Sequence, residues 1–269
     1  MNKDCTMVVS TCDTYDDTWE AFFKCIKKNW PKFDMPIILN TESKKYDVDG
    51  LNIKCFSMFK DVKVPWGKRL KEHLKKVETE FVFFMLDDYF LVEKVDTKII
   101  DKCINWMKKD KNIAVFSFHE VKDKNNIPSE KYENFDLRPI KGEYRLNCQA
   151  AVWRKDILIE CIKDEYSPWD FEIYGSVRAR KFKQEFYTLR EGVKEPLNYC
   201  MHHLGTGICR GKCVKSVVVP LFKELKIKMD FSKRGFVDET DDSVVTYRTF
   251  MQKVQGKIKY YKALIESKF

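Results

Sequence analysis

The chain has 269 residues, of which 44% are hydrophobic and 14% aromatic, enough to bury the core of one α/β domain with elaborations and unlike a disordered or low-complexity segment. Its 50 Lys+Arg outnumber 41 Asp+Glu for a net charge of +9, a balance compatible with anionic substrates, an anionic membrane surface or nucleic acid and selective for none. No run approaches the roughly 18 apolar residues of a membrane-spanning helix.

Met1–Cys5 lacks the apolar region of a signal peptide, so the sequence predicts a soluble or peripheral protein. The ten cysteines are scattered, and Cys25, Cys103, Cys148 and Cys161 fall in apolar runs. That usage fits reduced thiols acting as small hydrophobes in a cytoplasm.

In chain order, Met7–Ser10 reads as a short apolar strand ending in Thr11-Cys12-Asp13-Thr14-Tyr15-Asp16. Asp17 with Glu20 predicts a capping box opening a helix, along which Trp19, Phe22, Phe23, Ile26 and Trp30 recur before Pro31. Met35–Leu39 reads as a second strand, followed by Asn40-Thr41-Glu42. A helix is expected from about Trp66-Gly67, with Leu70, Leu74 and Val77 on one face. Phe81–Leu86 is a continuous apolar run, as expected of a strand covered on both faces. Ile99, Ile100, Cys103, Ile104 and Met107 mark another helix before the strand Ile113–Phe118.

This alternation of strand and helix predicts a mostly parallel central sheet flanked by helices on both faces. Ligands of such sheets bind beyond the C-terminal strand ends. The polar residues Asp13, Asn40, Asp87 and Asp88 follow strands and are expected to converge there. Further on, 127–142 reads as a loop, Arg145–Trp153 as a strand, the residues after Lys155 as a short helix, and Pro168 as the entry to another. Glu185–Leu189 is a candidate strand. In the last 25 residues Tyr247, Phe250, Met251, Val254, Ile258, Tyr261 and Ile265 form one helical stripe with lysines opposite, which either packs on the domain or lies on an anionic membrane.

Leu86-Asp87-Asp88-Tyr89 follows the buried run directly. Hard carboxylate oxygens at a strand end suit a divalent cation that neutralises a leaving diphosphate. Lys68 and Arg69, one helix earlier, suit phosphate or ribose, Arg through its planar fork.

The chain resembles GT-A glycosyltransferases, particularly small bacterial enzymes of surface and capsular polysaccharide synthesis. The likeness lies in Thr11-Cys12-Asp13-x-Tyr15, Trp66-Gly67-Lys68-Arg69-Leu70, Leu86-Asp87-Asp88-Tyr89-Phe90, Gln149-Ala150-Ala151-Val152-Trp153-Arg154 and Trp169-x-x-Glu172. It departs where Leu86 stands at the first position of the usual Asp-x-Asp, which carries Asp88 over as the metal ligand.

The resemblance implies a GT-A-like catalytic domain over 1–213, with a nucleotide-binding half at about 1–120 and an acceptor half at about 121–213, and a C-terminal helical extension over 214–269. It implies transfer of a sugar from a nucleoside diphosphate-sugar, UDP-sugar favoured, to a glycan or lipid-linked hydroxyl, with inversion. Thr11, Asp13, Tyr15 and Asn40 would contact the nucleoside, while Asp87, Lys68 and Arg69 would support donor binding. Asp88, with His202 or His203, would hold Mn2+ or Mg2+, and Lys212 or Arg210 would steady the diphosphate. Glu172 would be the general base with Asp170 in reserve, and Gln149 and Trp169 would shape the sugar or acceptor pocket.

Two other readings are weaker. A nucleotidyltransferase would want a glycine-rich basic loop after the first strand, where Thr11–Asp16 has no glycine and two acids. A polyanion-binding module would want clustered cations with exposed aromatics, and no nucleic-acid partner is expected here.

Overall fold

The computed structural model describes residues 4–60, 62–199, 202–240 and 249–269. Strand β1 (Cys5–Ser10) is buried along its whole length. It lies between β2 (Ile37–Asn40) and β4 (Phe81–Leu86), both parallel to it, and β3 (Ile53–Lys54) extends the sheet beyond β2. Ser10 is level with Asn40 on one side and Leu86 on the other, so the chain leaves all three strands at one rim.

The nine-stranded sheet has the order β3-β2-β1-β4-β8-β5-β9-β7-β6, with β5 (Ile113–Glu120), β6 (Ile127–Pro128), β7 (Phe135–Leu137), β8 (Ala151–Arg154) and β9 (Glu185–Leu189). β8 runs antiparallel between β4 and β5, whereas β5 and β9 are parallel.

Alternation along the strands feeds two cores. Met7, Val9, Phe81, Phe83 and Met85 face one layer, built from α1 (Asp16–Asn29), α3 (Thr97–Lys109) and α7 (Lys215–Glu224). Val8, Val82 and Phe84 face the other, built from α2 (Trp66–Leu74), α4 (Lys155–Cys161) and the helical turns that follow α5 (Pro168–Asp170), with Phe171, Tyr174 and, on α6 (Ser176–Arg178), Val177. Each fully buried Phe or Leu contributes about 1.5–3 kcal/mol, so the two layers fix the sheet and the rim at its end.

Several local expectations differ from the structure. A 3-10 turn, Asp13–Tyr15, precedes α1, and the helix has no side-chain cap, because Asp17 is engaged by Arg234 and Glu20 pairs with Lys24. Of the expected 145–153 strand only the last three residues are extended in the sheet, as part of Ala151–Arg154, since Arg145 is buried and donates to the Ala179 and Gln184 carbonyls. Within 127–142 the chain forms β6 and β7, an antiparallel pair at the sheet edge.

The C-terminal helix α8 (Phe250–Glu266) is capped by Thr249 and Gln252. It docks through a narrow seam: Gly256 against the Tyr174 hydroxyl, Lys259 on Asp170, Ala263 in the second core, and Glu266 with Lys163 and Arg178. The apolar stripe faces away, with Met251, Val254, Ile258, Tyr261 and Ile265 between 36% and 64% exposed. Tyr247 and the Phe250 side chain lie outside the described residues. Among the described residues no helix is long and apolar enough to cross a membrane, and none of the nine cysteines described is in a disulfide.

Candidate active site

At the rim, a cavity of about 350 Å3 opens over the ends of β1 and β4. Thr11, Tyr15, Arg69, Asp87, Asp88, Trp169 and Glu172 all line it. The parallel register carries Thr11, Asp87 and Asp88 there, the 3-10 turn after β1 and helix α2 add Tyr15 and Arg69, and the turn that begins at Pro168 brings in the last two across the sheet.

Asp87 is buried and its Oδ2 accepts hydrogen bonds from Thr11 Oγ1 (2.5 Å) and Thr18 Oγ1 (2.9 Å). Trp19 Nε1 in turn donates to Thr11 Oγ1 at 2.8 Å, which fixes the hydroxyl rotor. Asp88 Oδ2 accepts from Thr206 Oγ1 at 2.7 Å, while Oδ1 is buried without a partner. Burial holds both carboxyls above the ordinary carboxylate range, and the charge of Asp88 raises Asp87 further against the lowering effect of the threonine hydroxyls.

Two adjacent carboxylates that resist ionisation, one with an orphaned oxygen, fit a hard divalent cation, whose charge would offset both penalties. Among the described residues no group of three or more His, Cys, Asp or Glu converges around one point. An ion held here would complete its shell with phosphate or water oxygens.

Glu172 lies in a π-helical turn, Phe171–Gly175, between α5 and α6. Such turns are rare and occur often at functional sites. Its Oε1 accepts from the Cys148 amide at 2.9 Å, which leaves the second oxygen to take up a proton. Burial raises its pKa, against a smaller lowering by the Cys148 N–H. Trp169, 67% exposed, stands at the cavity edge.

Apart from Arg210, the other expected site residues do not line the cavity. Asp13 clasps the loop after β2, accepting from the amides of Glu42 and Ser43 (both 2.9 Å) and from Ser43 Oγ (2.7 Å). Asn40 is fully buried at the end of β2, and neither atom of its amide has a partner. Lys68 is exposed on α2. Gln149 Oε1 accepts from the Tyr199 hydroxyl at 2.7 Å, behind the Tyr89–Tyr199 stack.

Asp170 closes a capping box with Ser167 and accepts from Lys259 at 2.9 Å. Burial would raise its pKa, but the Ser167 and Lys259 hydrogen bonds prevail and hold it below the ordinary value. The His202 and His203 rings touch, tilted by 40° with centroids 4.0 Å apart, and His202 Nε2 is 3.9 Å from Glu239. Lys212 is exposed on the second strand of a small hairpin, β10 (Ile208–Cys209) and β11 (Lys212–Cys213). Arg210 and Gly211 form its two-residue turn with φ of 51° and 82°, the backbone pattern of a type I′ turn, and both line the cavity.

One residue that braces the site from behind its lining carried no sequence signal. Arg234, beyond α7, is anchored on Asp17 through Nε (2.7 Å) and Nη2 (2.5 Å), and its guanidinium covers the Tyr15 ring at 4.1 Å. It also donates to the Gly211 carbonyl at 3.3 Å, so it ties α1, the cavity-lining Tyr15 and the hairpin turn together. Trp66, whose Nε1 donates to Ser10 Oγ at 2.9 Å, does line the cavity and is likewise outside the expected site set.

The sheet order and the helices that flank it give a GT-A-like fold. No protein-family model and no curated protein sequence matches the chain. Among solved structures it is similar to S. aureus TarS, a glycosyltransferase: residues 1–349 of TarS match 97% of this chain and 81% of that one, with a TM-score of 0.53 and 12% identity. The same fragment in complex with UDP gives a TM-score of 0.51 at 11% identity, over 98% and 80% of the two chains. Against the longer TarS structure the chain spans 36% of that chain, about a third of its length. At such identities the likeness establishes the fold.

Proposed function

We propose that the chain is a glycosyltransferase that moves a sugar from a nucleoside diphosphate-sugar, UDP-sugar favoured, to the hydroxyl of a glycan or lipid-linked acceptor, with inversion. The observation that carries this reading is one cavity, at the strand rim of a GT-A-like fold, lined by Asp87, Asp88 and Glu172 together. UDP is favoured because a TarS fragment of the same fold is described in complex with UDP.

In this reading Asp88, backed by Asp87, holds Mn2+ or Mg2+, and the cation when bound offsets the charge of the diphosphate. Tyr15, Thr11 and Arg69 border the nucleoside, and Arg210 stands where a basic residue would meet the diphosphate. Glu172 takes the proton of the acceptor hydroxyl as its oxygen attacks the anomeric carbon from the face opposite the leaving group. The bond from that carbon to the diphosphate breaks, and the nucleoside diphosphate leaves with the electron pair. A carboxylate raised by burial is a stronger base than an exposed one, which suits the role.

The exposed stripe on α8 suits peripheral contact with an anionic membrane. Met251, Ile258 and Tyr261 would enter the interface, and the exposed Lys253, Lys257 and Lys268 would meet acidic headgroups. A thermal-shift screen of UDP-, GDP- and CDP-sugars with and without Mn2+ tests the main reading. Stabilisation by a UDP-sugar that grows with Mn2+ is expected, and no shift with any of them would overturn it.

A further inference from the structure

A second cavity, of about 340 Å3, also has Glu172 in its wall. Among the described residues Glu172 is the one that lines both this cavity and the one over the strand rim. Building on the glycosyltransferase reading, we infer that the second cavity is an acceptor subsite for a saccharide, whose hydroxyl reaches past Glu172 toward the donor so that this carboxylate takes its proton as the oxygen attacks.

The lining chemistry points to a polyhydroxylated ligand. Lys141 and Arg180 bring hydrogen-bond donors, and Glu143 and Glu172 bring acceptors. Two cations against two carboxylates leave no net charge to select a polyanion. A sugar ring, with hydroxyls that both donate and accept, uses such a mixed set fully. Arg180 Nε is buried without a partner, a donor with nothing to bind in the free protein.

Two phenol rings complete the wall. Tyr144 is 48% exposed and Tyr260 38% exposed, and each offers a flat apolar face with a polar tip. The C–H face of a pyranose packs on such a ring while its hydroxyls reach the charged groups. Tyr144 has φ 50°, the left-handed region that a bulky residue adopts only where its surroundings over-determine it. Its loop is held close by Gly142, where a Cβ would come within 2.9 Å of Pro139 Cγ.

Tyr260 comes from α8, whose seam on Asp170, Lys163 and Arg178 sets it in place. The C-terminal helix thereby contributes to the substrate site. Asp170, tied to Lys259, is the positioning residue that joins the helix to the turn bearing Glu172.

The test uses the full chain with UDP and Mn2+ and probes it with methyl glycosides of glucose, galactose and N-acetylglucosamine by saturation-transfer NMR. The variants are Tyr144→Ala, Tyr260→Ala and Arg180→Ala, each checked for an unchanged melting temperature without ligand. At least one glycoside is expected to bind the unaltered protein and to bind each tyrosine variant about tenfold more weakly. The thermal shift with UDP and Mn2+, which reports the donor site alone, is expected to persist in all three. Binding of no glycoside while that UDP shift is present, or equal glycoside binding in the variants, would overturn the subsite and leave the glycosyltransferase reading standing.

Discussion

Replacing Arg234 by alanine removes a contact that joins two ends of the chain, and the structure sets the size of the effect. An exposed ion pair such as Lys24–Glu20, with side chains 38% and 51% exposed, is worth about 0–1 kcal/mol. The Arg234 and Asp17 side chains are 8% and 14% exposed and are joined by two hydrogen bonds, so screening by water is weak. Truncating one partner of a shielded pair leaves the other charge uncompensated, at a cost of about 3–5 kcal/mol. Loss of the cation–π contact with Tyr15 adds about 0.5–2 kcal/mol. Urea unfolding followed by tryptophan fluorescence should therefore show Arg234→Ala destabilised by at least about 3 kcal/mol. The double variant with Asp17→Ala should be clearly less damaging than the sum of the two. Arg234→Lys should recover little, because an ammonium cannot make the two parallel bonds. A loss below about 1 kcal/mol, or strict additivity, would refute the reasoning.

Three further outcomes are expected. Glu172→Gln should lower kcat by about 10²–10⁴-fold while leaving UDP binding unchanged, and the wild-type rate should fall as pH drops through the raised Glu172 value; full activity would remove Glu172 as the base. Asp87 and Asp88 are raised by burial, so their contribution to stability is complete below the unfolded carboxylate range and is lost as pH rises through the higher folded values. Urea titrations without metal from about pH 4 to about pH 8 should show that decline, and Asp87→Asn should flatten it; an unchanged slope would contradict the account. Ile258→Glu with Met251→Glu should reduce sedimentation with phosphatidylserine vesicles without changing UDP binding, and equal sedimentation would exclude the α8 stripe as a membrane contact.

How much of this was legible depends on how local the signal is. Phe81–Leu86 and Glu185–Leu189 coincide with β4 and β9, because a short apolar or β-prone run is all that a buried central strand needs. The acidic pair follows from β4 by one step along the chain, and its place at the rim follows from the parallel register. Arg145 shows the limit: a basic residue in an apparently extended run is buried by contacts with Ala179, Gln184 and the Phe186 ring, none of them near in sequence.

The stripe on α8 was legible as a helix, but the side that docks was not. Small residues and ion pairs, Gly256, Ala263, Lys259 and Glu266, make that seam, and hydrophobicity alone selects the opposite face. Arg210 rather than Lys212 reaches the cavity because of a two-residue turn with positive φ, which depends on β10 and β11 pairing. Arg234 lies 217 residues from Asp17, and no periodicity links two positions so far apart.

The central claim rests on Asp88, the carboxylate at the rim with one buried oxygen unpartnered. Calorimetric titration of UDP into the protein with and without Mn2+, repeated on Asp88→Ala, tests it most directly. The account predicts binding that strengthens with Mn2+ in the unaltered protein and a loss of that Mn2+ dependence in the variant. Equal Mn2+-dependent binding by both proteins would contradict it.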